Sequence, residues 1–199
     1  MSNMNISFGA KIPMSQHNVY DREHNEFVKT TLYEIDAKDA NDVKYIKSQK
    51  GHWGEIRDDI VKDIAVKHSN IVKGKQNIKP KNKFYSLEIS EGKAIGLMEV
   101  RDYPRRRNLF LFECNPDKKY KFVGQVMLSE AAKEIAGKKN YTLTVDDPTT
   151  EGRIFYINAC GFKEKSKGSH GLKMNQNGIT DFINNVAQRT HAEKINIIG

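Results

Sequence analysis

The sequence predicts an α/β protein whose central sheet is mixed but mostly antiparallel, with about six or seven strands and with helices on its faces. Between Phe84 and Cys114, apolar and polar residues alternate in three short runs separated by polar turns, which is typical of an antiparallel meander. After Gly124 the apolar residues recur at helical spacing, and strand-like and helical segments then alternate toward the C-terminus.

The composition is that of a globular protein. Of the 199 residues, 38% are hydrophobic and 29% are charged, and no apolar run approaches the roughly 20 residues of a membrane span. The N-terminal residues lack the apolar stretch of a secretory signal peptide. We therefore expect a cytoplasmic protein without a membrane segment, and secretion without a signal peptide stays open as an alternative.

Three regions follow from the patterning. Residues 1–27 show no clear period and are predicted to be an arm, residues 28–176 the main domain, and residues 177–199 a C-terminal helical extension. Early in the main domain we predict a strand over residues 27–35, a helix capped by Asp36 and ending near Gln49, and a second helix after Gly54.

The remaining predicted elements complete the main domain. Strands are expected at residues 84–89, 94–100, 109–114, 141–145 and 172–174. One helix should run from Gly124 to Gly137, and another should begin at Thr149 or Thr150 and end at Gly161. A final amphipathic helix follows Gly178.

Cysteine, histidine and charge patterns constrain the chemistry further. Cys114 and Cys160 are predicted to be free thiols, and the six histidines show no metal-binding spacing, so no metal is expected. The net charge of +8 is concentrated in two basic segments, residues 73–83 and 105–107. These segments predict either solvated loops or a surface for an acidic or phosphate-bearing partner.

The most informative junction joins the strand at 109–114 to the helix that begins near Gly124. A strand that turns directly into a helix N-terminus exposes backbone N–H groups backed by the positive end of the helix dipole, and these groups favour an anion such as a diphosphate. Lys119 and Lys121 add positive charge, and Gly124 permits a close approach of the backbone.

Three motifs in this region resemble the GNAT superfamily of N-acetyltransferases. Cys114-Asn115-Pro116 is similar to a V-x-P-like step that ends a strand of the family just before its loop. Lys121-Phe122-Val123-Gly124-Gln125-Val126 is similar to its loop [Q/R]-x-x-G-x-[G/A], and the segment from Phe155 to Phe162 is similar to its closing Tyr-x-x-x-Gly-Phe motif.

The resemblance implies an acyl-CoA N-acyltransferase fold with acetyl-CoA as the cosubstrate. The cofactor-binding residues implied are Cys114, Lys119, Lys121, Phe122, Val123, Gly124, Gln125, Val126 and Thr149. The sequence departs from the family at Lys121, which lacks a planar guanidinium, and at Val126, which is larger than the usual small residue.

The resemblance also implies the catalytic groups. Tyr156 is the candidate proton donor to the leaving thiolate, but it stands five residues before Gly161 where the family has four, so Ile157 competes for that position. Glu113 and Glu99 are the main candidates for accepting the proton of the attacking amine, and Asp102 is a third.

The function expected from these motifs is direct transfer of an acetyl group from acetyl-CoA to an amine of an unknown small molecule or protein. The alternatives are a catalytically weak module of the same fold that binds a protein or nucleic acid, and a secreted effector that modifies a host protein. The last helix leaves a homodimer possible.

Overall fold

The computed structural model describes residues 11–49, 55–74, 81–90, 92–114 and 119–190. Within these residues nine strands form a single sheet in the order β6-β1-β2-β3-β4-β5-β7-β9-β8. The strands are β1 (Ile12–Asp21), β2 (Glu26–Ile35), β3 (Lys81–Ile89), β4 (Ala94–Tyr103), β5 (Arg106–Cys114), β6 (Tyr120–Lys121), β7 (Thr142–Val145), β8 (Lys163–Glu164) and β9 (Leu172–Met174).

Five α-helices connect and cover these strands in the described residues. They are α1 (Ala40–Ser48), α2 (Glu55–Val72), α3 (Val123–Lys133), α4 (Thr150–Ile154) and α5 (Gln176–Thr190). Helix α4 continues directly into a π-helical segment, Phe155–Ala159. None of the helices in the described ranges is both long enough and apolar enough to cross a membrane.

The sheet confirms the predicted fold class and is larger than predicted. All neighbouring strands pair antiparallel except β5 and β7, which are parallel. The strands absent from the prediction are β1, β6 and β8. The mixed, mostly antiparallel sheet with flanking helices is therefore confirmed, but the count of six or seven strands is too low.

Strand β1 occupies a region that was predicted to be an irregular arm. Its inward positions are Ser15, His17, Val19 and Asp21, so three of the four buried side chains are polar. The Ser15 hydroxyl and His17 Nε2 are 2.8 Å apart, and His17 also faces Glu130 of α3 at 3.3 Å. Because its inward positions are mostly polar, the strand is buried without the apolar alternation that indicates a strand in a sequence.

The helices divide the buried side chains into two clusters. The larger cluster joins the sheet to α3, the π-helical segment and α5, and it includes Met98, Met127 and Phe182. The smaller cluster joins the opposite face to α1 and α2 and includes Val43 and Ile64.

Several predicted boundaries move in the structure. The turn between the strands predicted at 94–100 and 109–114 is confined to Pro104 and Arg105, because β4 and β5 continue pairing as far as Tyr103 and Arg106. The first helix is capped by Asp39 rather than by Asp36, since the Asp39 carboxylate accepts from the backbone amides of Asn41 and Asp42. Strand β3 begins at residue 81, and residues 75–80 of the basic segment lie outside the described residues.

Candidate functional site

The two parallel strands of the sheet separate partway along their length. Strands β5 and β7 pair from Arg106 opposite Thr142 to Leu109 opposite Val145, where β7 ends. On its other side, β5 stays paired with β4 as far as Cys114. The last five residues of β5 thus border a gap on the β7 side, where their backbone groups can bind a ligand in an extended conformation.

A β-bulge lies where the two strands separate. The register of β4 and β5 shifts so that Glu99 faces Leu111 while the next residue, Val100, faces Leu109. Phe110 is therefore an additional residue in β5, directly after the last pair with β7. Bulges redirect backbone groups and are frequent beside active sites.

Helix α3 begins at the end of this gap. Phe122 occupies the N-cap in the left-handed region (φ 73°) and makes no side-chain capping bond. Its carbonyl accepts from Val126 at 2.9 Å, so the amides of the first turn of α3 point out of the helix without a helical acceptor. Unpaired amides of this kind, with the positive end of the helix dipole behind them, favour an anion.

A cavity of about 380 Å³ lies in front of this helix end, and it is lined in part by Cys114, Lys121 and Gln125. A second, larger cavity of about 580 Å³ lies on the other side of the same helix end, and Phe122 and Gln125 line both cavities.

Gly124 is required by packing against two aromatic rings. A Cβ at this position would lie 2.7 Å from the Phe155 ring and 3.2 Å from the Phe112 ring. The two rings stack with centroids 6.4 Å apart and form one wall of the smaller cavity. The lack of a side chain at Gly124 therefore leaves room for the two rings that line the cavity. The sequence predicted a different reason for this glycine, a close approach of the backbone to a ligand.

The turn between β1 and β2 holds the segment that leads into α3. The amide of Arg22 donates to the Lys119 carbonyl at 2.9 Å, and Lys119 Nζ lies 2.7 Å from Glu23 and 3.5 Å from Asp21. The His24 side chain and neighbouring amides hold the pKa of the Asp21 carboxyl at about 2 although burial opposes this. Lys119 is therefore engaged by the hairpin, and Lys121 lies over the Tyr20 ring at 5.2 Å.

Arg22 is a candidate site residue that no motif in the sequence indicates. Its side chain lines the smaller cavity together with Gly124 and Cys114. Within the described ranges it makes no ion pair with a carboxylate. No motif links residue 22 to residue 124, and only the pairing of β1 with β6 brings them together.

Two other predicted residues lie apart from the cavities. Val126 is fully buried in the larger cluster, and its side chain does not line either cavity. The Thr149 hydroxyl accepts from the Gly152 amide at 3.1 Å and so caps α4. Val123 and Phe122 do line the smaller cavity.

Tyr156 belongs to the π-helical segment and is 7% exposed. Its ring contacts Phe155 and Phe162 edge-on, with centroid distances of 5.4 and 5.5 Å. Burial, reinforced by the nearby Cys160 and Cys114 thiols, raises the pKa of the Tyr156 hydroxyl far above its usual value. The hydroxyl therefore stays protonated near neutral pH. Ile157 is half-buried and packs against the same cluster.

The two cysteines are free thiols. Burial raises the pKa of both Cys114 and Cys160 to about 12, so they remain protonated near neutral pH.

Glu99 is a fully buried carboxyl beside the β-bulge. Its Oε1 accepts from Asn82 and Arg101, each at 2.8 Å, and its Oε2 has no hydrogen-bond partner among the described residues. Burial raises its pKa to about 7, although Arg101 opposes the shift. Glu113 is half-buried and faces Leu97 across the strand pair, on the part of β5 that borders the gap.

The third acidic candidate and the 105–107 basic segment lie at the opposite end of the sheet. Asp102 forms two hydrogen bonds with Arg107, at 2.6 and 2.8 Å. Arg107 is 2% exposed and also contacts Glu134 at 2.9 Å, so it stabilises the fold and is not available to a partner. Arg106 stacks on Tyr103, and only Arg105 of the three is fully exposed.

The chain thus has an α/β fold in which two parallel strands, β5 and β7, separate in front of the N-terminus of α3. Structures of known proteins agree. The AtaT toxin, in a mutant form bound to the C-terminus of the antitoxin AtaR and to acetyl-CoA, superimposes with a TM-score of 0.54 at 10% identity, over 78% of this chain and 98% of that one. The chain therefore shares its fold with this acetyl-CoA-bound toxin, and this is the acyl-CoA N-acyltransferase-like fold class that the sequence predicted.

Two further solved structures are similar at lower scores. The PaiA N-acetyltransferase of Thermoplasma acidophilum, in complex with coenzyme A, gives a TM-score of 0.49 at 18% identity over 72% of this chain and 96% of that one. A mutant spermidine N-acetyltransferase SpeG of Vibrio cholerae gives 0.49 at 15% identity, over 78% and 97%. No protein-family model and no curated protein sequence matches the chain.

Proposed function

We propose that this protein is an acetyl-CoA-dependent N-acetyltransferase that transfers the acetyl group directly to an amine. The observation that carries the proposal is the separation of β5 and β7 after Leu109, which opens a gap ending at the uncapped N-terminus of α3. A pantetheine arm matches the extended backbone of β5, and a diphosphate matches the α3 amides. The fold shared with AtaT, which was solved with acetyl-CoA, supports the same cosubstrate.

The residues present suit this cosubstrate. The α3 amides and the Arg22 guanidinium would hold the diphosphate, and the Phe112 and Phe155 rings would contact the pantetheine arm. When bound, acetyl-CoA supplies the acetyl group as an activated thioester. Backbone N–H groups at the Phe110 bulge would polarise a carbonyl that enters the gap.

Two side chains would then move protons. Tyr156 is neutral near pH 7 and can donate its proton to a departing thiolate. Glu99 titrates near neutral pH, and its free Oε2 can accept the proton that the amine loses. Glu113, on the edge of the gap, would attract the ammonium form of the acceptor.

Titration calorimetry with acetyl-CoA, followed by a thiol-release assay with a panel of small amines and lysine peptides, tests the proposal. We expect saturable binding and amine-dependent release of coenzyme A. Absence of binding at millimolar acetyl-CoA would overturn the proposal. Binding without transfer to any amine would instead favour the alternative of a binding module with the same fold.

A further inference from the structure

A lysine side chain is enclosed between two tyrosine rings on the face of the sheet that α1 covers. The Nζ of Lys11 lies 3.7 Å from the centroid of the Tyr45 ring and 4.7 Å from that of the Tyr33 ring. It also donates to Oε2 of Glu88 at 2.8 Å, and the two side chains of this pair are 10% and 2% exposed. Aromatic ring faces recognise ammonium groups, and a carboxylate adds a charge-assisted hydrogen bond. The rings, this carboxylate and Ser86 form what we term the ammonium pocket.

The walls of the ammonium pocket contain buried oxygens that Lys11 leaves unpaired. Ser86 lies opposite Tyr33 on the neighbouring strand and next to the Tyr45 side chain. Ser86 Oγ and Glu88 Oε1 are buried and have no hydrogen-bond partner among the described residues. Buried polar atoms without a partner are costly. An ammonium group has three donors, so a ligand that orients freely in the pocket can satisfy oxygens that the tethered Lys11 does not.

The occupant of the pocket can be exchanged while the walls stay in place. The pairing of β1 with β2 begins at Ile12 opposite Glu34, so Lys11 precedes the sheet. Moving its side chain out of the pocket leaves every described strand pair intact. Ser86 and Glu88, in contrast, belong to β3, which is paired with β2 on one side and with β4 on the other. The pocket is therefore a preformed site with a replaceable internal occupant.

We propose that the ammonium pocket binds the primary alkylammonium group of a ligand, which displaces the Lys11 side chain. A small aliphatic amine and the lysine side chain of a peptide share this chemistry. The pocket is formed by β2, β3 and α1, whereas the gap of the proposed acetyl transfer lies between β5 and β7. The inference therefore goes beyond the proposed function and can be tested without acetyl-CoA.

Proton NMR of the unaltered protein, titrated with n-butylammonium as a mimic of the lysine side chain, follows Lys11 directly. In the free protein, ring currents of Tyr33 and Tyr45 should shift the side-chain methylene resonances of Lys11 upfield. We expect the amine to move these resonances, saturably, to the positions of an exposed lysine, and n-butanol, which lacks the charge, to leave them in place. Lys11 resonances that do not respond to the amine would make the pocket a fixed structural contact and overturn the inference.

Substitutions test the pocket by a second route. Lys11→Ala removes the internal occupant, so the Kd for n-butylammonium should fall roughly tenfold or more, because the ligand no longer competes with it. Adding Glu88→Gln to this variant should abolish the gain. Lys44→Ala, which removes an exposed lysine of α1, is the matched control and should bind the amine like the unaltered protein. Equal Kd values for Lys11→Ala and the unaltered protein would contradict displacement of Lys11.

Nα-Acetyl-lysine amide, a mimic of a lysine in a peptide, distinguishes the two sources of the ligand. A lower Kd for this compound than for n-butylammonium supports a peptide ligand, and a higher Kd supports a small amine. If neither compound binds to Lys11→Ala, the inference fails, and the proposed acetyl transfer is unaffected.

Discussion

The backbone N–H of Phe162 donates to the carbonyl of Tyr156, six residues earlier, at 3.0 Å. An α-helix closes such bonds over four residues, and the wider loop here follows the π-helical segment Phe155–Ala159. A π turn accommodates one more residue than an α turn and is frequent at functional sites. The sequence has one more residue between Tyr156 and Gly161 than the GNAT motif, so the motif alone could align either Tyr156 or Ile157 with the family's tyrosine. The π-helical backbone accommodates this additional residue. This supports Tyr156 over Ile157 as the proposed proton donor.

Replacing Tyr156 by Phe should remove the proton donor and preserve the packing, since the ring keeps its contacts with Phe155 and Phe162. We expect kcat for acetyl transfer to fall about a hundredfold or more, while the Kd for acetyl-CoA changes less than about twofold. Tyr141→Phe, which removes the hydroxyl of a half-buried tyrosine before β7, should leave kcat unchanged. Equal kcat values for Tyr156→Phe and the unaltered protein would exclude the proposed role.

The pH dependence of transfer reports on Glu99. Because its pKa is raised to about 7, the carboxyl is protonated and unable to accept a proton below that pH, and is ionised above it. We expect kcat/KM to rise up to about pH 7 and then level off. Glu99→Gln should lower the plateau about a hundredfold and remove the rise, whereas Glu113→Gln should keep the rise. A rise near pH 7 that persists in Glu99→Gln would assign it to another group.

The prediction from sequence succeeded where buried positions are apolar. Strand β4 is buried from Ala94 to Val100 and consists mostly of apolar residues there. Polar turns separate it from β3 and β5, so the sequence indicates three consecutive strands of a meander. Strand β1 was missed because Ser15, His17 and Asp21 occupy its inward positions. Arg22 was missed for a different reason, since its place beside Gly124 depends on the pairing of β1 with β6, about a hundred residues apart in the chain.

The contribution of Arg22 can be separated from the rest of the cosubstrate site. Arg22→Gln should weaken acetyl-CoA binding about tenfold, because a guanidinium pairs with a diphosphate through charge-assisted hydrogen bonds. The affinity of Arg22→Lys for acetyl-CoA should lie between those of the unaltered protein and Arg22→Gln, since an ammonium keeps the charge but lacks the planar fork of a guanidinium. S-acetylpantetheine, which has no diphosphate, should be used equally well by all three proteins when kcat/KM is compared. A similar loss with both donors would mean that Arg22 acts on the fold and not on the phosphate.

Gly124 should respond to substitution in an unusual direction. An exposed helical Gly→Ala change normally stabilises by up to about 1 kcal/mol, but here the Cβ would lie 2.7 Å from the Phe155 ring. We expect Gly124→Ala to lower the free energy of unfolding by about 1–2 kcal/mol, measured by urea denaturation. In the double variant Gly124→Ala/Phe155→Leu, the free energy of unfolding should fall by less than the sum of the decreases in the two single variants, because the smaller side chain at 155 makes room for the Cβ.

Arg107 should contribute far more to stability than its neighbour Arg105. The Arg107 guanidinium is buried and bonds to Asp102, to Glu134 and to the Ala131 carbonyl at 3.1 Å, so it ties β5 to the last turn of α3. Arg107→Ala leaves the two carboxylates without their shared partner, and since both are partly exposed we expect a loss of about 3 kcal/mol, the low end for a broken buried ion pair. Arg107→Lys should recover only part of this, because one ammonium cannot reach all three acceptors. Arg105→Ala, at an exposed turn position, should change the free energy of unfolding by less than about 0.5 kcal/mol. Comparable losses for Arg105→Ala and Arg107→Ala in urea denaturation would contradict the assignment of the basic segment to the fold.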